Sequence, residues 1–159
     1  MTPGLFTIEF FEDASGRHPV EDWMESELSD VELAALLAGL EQVLGHRGID
    51  VCGTEWGKQL GEGLFEFRIR HTAAEIRKMF GGDPPGEGGG GATRVLIRVF
   101  CHAYGAKVVL LLNGYSKGSD PRQKRQQREI ALARKRLAEF KERQARERKA
   151  QKRRGDGAR

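Results

Sequence analysis

The chain has 159 residues, of which 38% are hydrophobic, and this is enough for one domain with a modest core. Its apolar runs are too short to cross a bilayer, and its first residues lack the basic start of a signal peptide, so we expect a cytoplasmic protein with no membrane partner. The two cysteines, Cys52 and Cys101, are isolated and lack metal-ligand spacing, so we expect reduced thiols, no bound metal and no cofactor.

The formal net charge of +4 conceals a strongly polarised chain. Residues 1–50 hold 2 Lys or Arg against 11 Asp or Glu, whereas residues 121–159 hold 16 against 5. A basic end of this kind, following a β-hairpin that carries arginine, indicates binding to a polyanion, and RNA is the polyanion it favours.

The acidic first third predicts one strand followed by two helices. Apolar and polar residues alternate over Leu5–Phe11, which is typical of a short strand. Pro19 suits the start of a short helix, and Ser29 with Glu32 forms a capping-box pattern at the start of a second helix that is expected to end at Gly45. The two helices are expected to cover one face of a sheet.

Three further strands are predicted from their alternating patterns. They are Leu64–Arg70, Arg94–His102 and Lys107–Tyr115, with a hairpin turn at residues 104–106 between the last two. Thr72–Phe80 is predicted to be a short helix. The predicted fold is therefore α+β, with a mostly antiparallel sheet of about four strands.

Gly81–Ala92 contains seven glycines and a Pro-Pro pair, which is typical of a flexible linker. The alternative is that this segment is a tolerated surface insertion without a role. We assign residues 1–140 to one domain that contains this insertion.

The final helix is predicted to begin with Asp120 as its N-cap and Pro121 as its first residue. An apolar stripe along this helix can dock on the body of the protein: Ile130, Ala133, Leu137 and Phe140. Residues 141–159 then form a basic C-terminal tail that is expected to project into solvent.

Cationic side chains follow the predicted strands. The candidate set is Lys58, Arg68, Arg70, Arg98, His102 and Lys117. Such a set can hold a scissile phosphate and stabilise the extra charge of a pentacoordinate transition state without a metal, and arginine suits this because its planar fork matches phosphate oxygens. The alternatives stay open: Arg68 and Arg98 as ordinary solvent-facing strand residues, and His102 as a structural residue near a hairpin tip.

Five segments together resemble a known family. They are Trp56-Gly-Lys-Gln-Leu60, Gly63-Leu-Phe-Glu-Phe-Arg-Ile69, Arg98-Val-Phe100, Val108-Val-Leu-Leu-Leu-Asn-Gly-Tyr-Ser-Lys117 and Arg128-Glu-Ile-Ala-Leu-Ala-Arg134. In this order and spacing they resemble the phage-derived, HigB-like branch of the RelE/ParE toxin superfamily, over roughly residues 5 to 140. The resemblance implies a RelE-like fold and a toxin of a type II toxin–antitoxin system, with a helix-turn-helix antitoxin as its partner.

The resemblance also implies an activity and its residues. The activity is a metal-independent endoribonuclease that cuts mRNA on the ribosome, by attack of a 2′-OH on the adjacent phosphate. Arg68 and Arg98 would hold the phosphate, and Lys58 and Lys117 would be further cationic or proton-transfer groups. Contacts with RNA are expected from six residues: Arg70, His102, Tyr115 (as a stacking or orienting group), Arg122, Lys124 and Arg125.

Two other functions remain open at this point. A ParE-like protein of the same fold would inhibit a topoisomerase without being an enzyme. A domesticated phage-derived protein would bind nucleic acid through a site that has lost its activity. The combination of Lys58 with Arg68 and Arg98 favours the nuclease.

Overall fold

The computed structural model describes residues 5–81, 94–118 and 122–157. These residues form an α+β fold around one mixed sheet of five strands. The strands are β1 (Thr7–Phe10), β2 (Gly57–Gly61), β3 (Leu64–Ile69), β4 (Ile97–Tyr104) and β5 (Val108–Ser116). The helices are α1 (Pro19–Ser26), α2 (Asp30–Gly39), α3 (Gly45–Arg47), α4 (Ala73–Phe80) and α5 (Gln123–Gly157).

The sheet has the order β1-β5-β4-β3-β2. Its last three pairings are antiparallel, whereas β1 runs parallel to β5. The described sheet therefore has one strand more than the expected four. The additional strand, β2, has glycine at both ends and an exposed Lys-Gln pair, so it lacks the apolar alternation by which the other strands were predicted.

The acidic helices pack on one face of the sheet, as expected. A continuous core joins them to β3, β4 and β5, and it includes Trp23, Met24, Leu36, Val43, Phe65, Phe67, Ile69, Ile97 and Val99. Ser29 caps α2 as predicted: its Oγ accepts from the Glu32 backbone N–H, and its own N–H donates to the Glu32 carboxylate. The helical path does not end at Gly45, because a π-turn over Leu40–Leu44 continues it to Arg47.

The α-helical path ends instead at Arg47, and Gly48, which has a φ of 53°, begins a short 3-10 helix over Gly48–Val51. A Cβ at this position would lie 2.5 Å from the ring of Phe6. Glycine is therefore required here both by the left-handed backbone and by the close approach of the segment before β1.

The opposite face of the sheet is covered by α5. The predicted stripe docks there, with Ala133 and Leu137 buried and Ile130 and Phe140 partly buried. These residues pack on a second core cluster that contains Phe11, Leu64, Phe100, Leu110, Leu112 and Tyr115. The helix continues without a break to Gly157, so residues 141–157 of the basic tail are helical.

The β4–β5 hairpin forms where it was predicted, although β4 begins at Ile97 and extends to Tyr104. Its turn uses positive φ angles at Gly105 (55°) and Lys107 (62°). Residues 82–92 of the predicted glycine-rich linker and the predicted helix start at Asp120 and Pro121 lie outside the described residues. None of the described helices has both the length and the apolar character that a membrane crossing needs.

Candidate functional site between the sheet and the C-terminal helix

Three of the predicted site residues form one row across the sheet. Arg68 on β3 is the register partner of Arg98 on β4, and Arg98 is the partner of Tyr115 on β5. Direct partners on antiparallel strands share a face, so the three side chains project from the same side of the sheet. That side is the one covered by α5, and we call this set the Arg68–Arg98–Tyr115 row.

A second row lies next to it. Lys58 on the edge strand β2 is the partner of Glu66, which is followed across the sheet by Phe100 and Asn113. A β-bulge between Phe100 and Cys101 shifts the register at this point. The shift lets Asn113 face α5, where its Nδ2 donates to the Glu129 carboxylate at 2.8 Å.

Glu66 is the residue that connects the two rows, and the sequence did not indicate its role. Its side chain is fully buried, with Oε2 3.1 Å from Nε of Arg68 and Oε1 3.6 Å from Nε of Arg98. Gln126 of α5 donates to the same carboxylate at 3.2 Å. The alternation in Leu64–Ile69 placed Glu66 on the face of Arg68, but it could not show that a helix would bury the carboxylate between two arginines.

Arg98 is the most unusual side chain of the site. It is 6% exposed, and its Nε and Nη1 have no hydrogen-bond partner among the described residues. Burial lowers the pKa of Arg98; Glu66 opposes this shift, and Arg68 and Arg70 add to it. Arginine still keeps its charge, so this is a buried cation whose charge partner is Glu66 and whose Nε and Nη1 make no hydrogen bond within the described residues.

Tyr115 lies at the end of the row and is 1% exposed. Burial raises the pKa of Tyr115 to about 12, with a further contribution from Glu66, so the phenol is neutral near pH 7. Its OH has no hydrogen-bond partner among the described residues. The ring already packs against Phe100 (6.3 Å between centroids) and beneath Arg125 (5.4 Å), which leaves the OH as the group available to orient a ligand.

The first two turns of α5 cover this site. Gln126 binds Glu66, Glu129 binds Asn113, and Arg125 lies over Tyr115. Arg98 and Tyr115 are therefore under the helix, whereas the Arg68 side chain is 21% exposed at its rim.

The rim also carries other predicted cations. Lys58 and Arg70 are exposed, and Lys117 is half-buried two residues beyond Tyr115. Its backbone N–H donates to the Leu96 carbonyl at 2.7 Å, which extends the pairing of β4 with β5. An open groove along the β2 edge is lined by Asp50, Cys52, Thr54, Lys58, Gln59 and Arg68. Lys58 and Arg68 therefore line the same open groove, together with Asp50.

His102 lies outside the site. It is four residues further along β4 than Arg98, which is about 13 Å on an extended strand. Its Nδ1 donates to the Gly63 carbonyl at 2.7 Å, and its ring packs against Tyr104 and Phe140. These contacts are those of a structural histidine.

The predicted RNA contacts on α5 lie at its start. Arg122 and Lys124 are exposed there, and Nε of Arg125 donates to the Glu129 carboxylate at 2.9 Å. They extend the cationic rim from the sheet onto the helix.

The comparisons with known proteins leave the family open. No protein-family model matches the chain, and no curated protein matches it significantly. In the described part of the chain, no group of three or more His, Cys, Asp or Glu side chains is arranged to hold a metal ion.

Proposed function

We propose that the protein is a toxin of a type II toxin–antitoxin system, of the RelE/HigB kind, and that it cleaves mRNA on the ribosome without a metal. The observation that supports this most directly is the Arg68–Arg98–Tyr115 row. It places two guanidinium groups and a neutral phenol on three adjacent strands, beside the exposed Lys58.

The row suits the charge that develops during RNA cleavage. In the proposed reaction the 2′-oxygen attacks the adjacent phosphorus and the bond to the 5′-oxygen breaks, giving a 2′,3′-cyclic phosphate and a 5′-OH. The phosphate passes through a state with additional negative charge on its oxygens. Donors placed in a water-poor site stabilise such charge strongly, and Arg98 has two donors without a hydrogen-bond partner in the described chain.

The remaining residues have supporting roles in this proposal. Arg68 is at the rim, so it meets the phosphate first, and Glu66 holds the arginines at their spacing. Lys58 and Lys117 are the groups proposed to take the proton from the 2′-OH and to donate one to the 5′-oxygen. The ribosome would hold the mRNA in line for attack, which supplies geometry that the sparse site lacks.

The structure sets one condition on this mechanism. Arg98 and Tyr115 lie beneath Arg125, Gln126 and Glu129, so a phosphate can reach them only when the start of α5 moves outward. Catalytic contacts are often completed only in the bound complex. The groove at Lys58 and Arg68 is the surface that needs no rearrangement.

A specific observation favours a second function. Glu66 partly neutralises both arginines, and Arg98 is almost fully buried, which suits a structural network better than an exposed catalytic one. A protein of this kind would act without cleaving RNA, as a ParE-like inhibitor of a topoisomerase or as a nucleic-acid-binding protein of phage origin.

One experiment separates these functions. The protein is expressed from an inducible promoter, 5′ ends of cellular mRNA are mapped, and supercoiling of a reporter plasmid is measured in the same cells. New 5′ ends within reading frames would support the nuclease. Growth inhibition with altered supercoiling and no new mRNA ends would select the topoisomerase inhibitor. If there are no new mRNA ends, no growth inhibition and no change in supercoiling, the nucleic-acid-binding protein is the remaining function.

A further inference from the structure

Beyond Glu147, α5 makes no hydrogen bond, ion pair or ring contact with the described body of the protein. Arg143 is the last residue with a hydrogen bond to it, from Nη1 to the Glu12 carbonyl at 2.9 Å. Glu147 lines the end of a groove against β1 and the loop that follows it. From Arg148 to Arg154 the helix continues for about 10 Å at 1.5 Å per residue.

This segment, which we call the cationic arm, is defined as residues 148–154. It contains five Lys or Arg and no Asp or Glu. All its residues are exposed apart from Ala150, which is half-exposed. Two turns of helix therefore present five positive charges to solvent, with Glu147 before them and Asp156 after them in the sequence.

Helix stability does not explain this charge. Nearer the body, Arg143 pairs with Glu139 at 3.3 Å and Arg146 with Glu142 at 2.9 Å, both at i,i+4 spacing. In the cationic arm the same spacing places Arg148 over Lys152 and Lys149 over Arg153, and like charges at this spacing destabilise a helix by about 0.2–0.5 kcal/mol per pair. The helix dipole favours cations, but only in the last turn.

We infer that the cationic arm is a docking surface for the phosphate backbone of folded RNA. Its charge is complementary to phosphate, and binding would remove the repulsion within the arm. At about 100° per residue the five cations surround more than half of the helix, so they suit two phosphate strands better than a single row. A helix does not fit the narrow major groove of A-form RNA, so the contacts are with backbone and independent of sequence.

The choice of RNA over DNA rests on the proposed function. Arg148 is 23 residues beyond Arg125, or about 35 Å along the helix. RNA held by the cationic arm is therefore separate from a strand in the candidate site. The arm would anchor the protein to structured RNA next to the mRNA that it cleaves.

The test compares two variants of the full-length protein with the same change in net charge. The arm variant is Arg148→Gln, Lys152→Gln and Arg153→Gln. The control variant, with exposed cations elsewhere on the body, is Arg17→Gln, Lys78→Gln and Lys107→Gln. Binding to a labelled RNA hairpin is measured by fluorescence anisotropy over a range of salt concentrations, with a DNA duplex of equal length as the second probe.

The arm variant is expected to bind the hairpin at least about tenfold more weakly. The slope of the logarithm of its binding constant against the logarithm of salt concentration should also be shallower by about 2–3, because each lost phosphate contact removes about 0.7–0.9 of slope. The control variant should keep both values near those of the wild type. Equal weakening in the two variants would show that net charge alone sets the affinity. Unchanged hairpin binding in the arm variant would show that the cationic arm does not bind RNA, and either result would overturn the inference. Tighter binding to DNA than to RNA would overturn the choice of RNA.

Two further measurements separate RNA docking by the arm from self-association and from the proposed nuclease activity. Loss of self-association in the arm variant, with unchanged hairpin binding, would assign the arm to the acidic half of a second copy and overturn the inference. If the wild type binds the hairpin through the arm but cleaves no mRNA on ribosomes, the nuclease proposal fails and the docking surface stands.

Discussion

Oε1 of Glu66 lies 3.6 Å from Nε of Arg98, and neither side chain is more than 7% exposed. The pair connects β3 to β4 directly below the start of α5, where Gln126 also contacts Glu66. A buried cation and a buried carboxylate depend on each other, because either one alone would be an uncompensated charge in a poorly solvated place. Stability and the candidate site are therefore coupled through these two residues.

Glu66→Gln should lower the free energy of unfolding by about 3 kcal/mol, because it removes the charge partner of buried Arg98 and keeps the side-chain shape. Urea denaturation at neutral pH measures this. The matched control is Glu62→Gln. The Glu62 side chain is 90% exposed, and its ion pair with Arg134, at 3.8 Å, lies at the surface. If both variants unfold at the wild-type urea concentration, the Glu66–Arg98 pair does not stabilise the fold.

Arg68→Ala should reduce mRNA cleavage by about 10²–10³, the usual effect of removing one donor that stabilises transition-state charge. Its side chain is partly exposed, so the protein should stay folded. Cleavage is followed by mapping mRNA 5′ ends after induction, with thermal unfolding as the check on the fold and Arg17→Ala as the control. Full toxicity of the variant would show that Arg68 does not hold the phosphate.

Arg98→Ala should also abolish growth inhibition, but for two combined reasons. It removes a proposed phosphate donor, and it leaves Glu66 with only Arg68 as a charge partner. Its loss of activity must therefore be compared with Arg98→Lys, which keeps the charge but not the planar fork. If Arg98→Lys is stable and fully active, the geometry of the guanidinium is not needed.

Tyr115→Phe should separate stability from function. An unpaired buried hydroxyl costs about 1–3 kcal/mol, so removing the Tyr115 OH should leave the free energy of unfolding unchanged or raise it by about 1 kcal/mol. Under the proposed function, mRNA cleavage should fall at the same time. A loss of stability in urea denaturation would mean that the hydroxyl has a hydrogen-bond partner in solution.

The stability of the protein should depend on pH through His71. Its Nε2 lies 2.5 Å from the carboxylate of Glu55 and its Nδ1 3.3 Å from that of Glu75. Burial opposes the charged ring, but the hydrogen bonds to the two glutamates outweigh it and raise the pKa of His71. The pKa of Glu75 is lowered, first because its carboxylate accepts a hydrogen bond from the Thr72 backbone N–H and next because of its contact with His71.

The directions of these two pKa shifts define the pH range in which the contacts of His71 stabilise the fold. A raised histidine pKa stabilises the fold below the ordinary value of 6.5, and the effect is lost as pH rises through the raised value. A lowered glutamate pKa stabilises above 4.5, and that effect is lost as pH falls. His71→Gln should therefore destabilise the protein more at about pH 6 than at about pH 9, as measured by urea denaturation. His18→Gln, at an exposed histidine, is the control. An equal effect of His71→Gln at both pH values would show that the contacts of His71 with Glu55 and Glu75 do not stabilise the fold.

Gly114→Ala should destabilise the fold by about 1–3 kcal/mol through overpacking. A Cβ at Gly114 would lie 2.6 Å from the Trp23 ring and 3.0 Å from the Arg98 carbonyl, so α1 would have to move off the sheet. Gly118→Ala is the control, because among the described residues a Cβ there would meet only Oγ of Ser116, at 3.6 Å. Equal melting temperatures for the two variants would show that the contact between α1 and β5 yields easily.

The sequence alone was sufficient for the elements whose pattern is local. The alternation in Leu64–Ile69 predicted β3 and placed Arg68 on the polar face, and the Ser29 capping box predicted the start of α2. The stripe from Ile130 to Phe140 predicted that α5 would dock. Each of these signals lies within a few residues of the structure it specifies, because side-chain periodicity and capping are properties of neighbouring positions.

The tertiary structure decided what depends on distant residues. β2 becomes a strand because β3 offers it hydrogen-bond partners, although its own sequence lacks alternation. The burial of Glu66 between Arg68 and Arg98, and the cover that α5 places over Tyr115, follow from strand register and from the choice of helix for each face. His102 is excluded from the site for the same reason, since its position along β4 places it under Phe140 and not under the start of α5. Register and layer order are set by the packing of the whole chain, so no single segment of the sequence determines them.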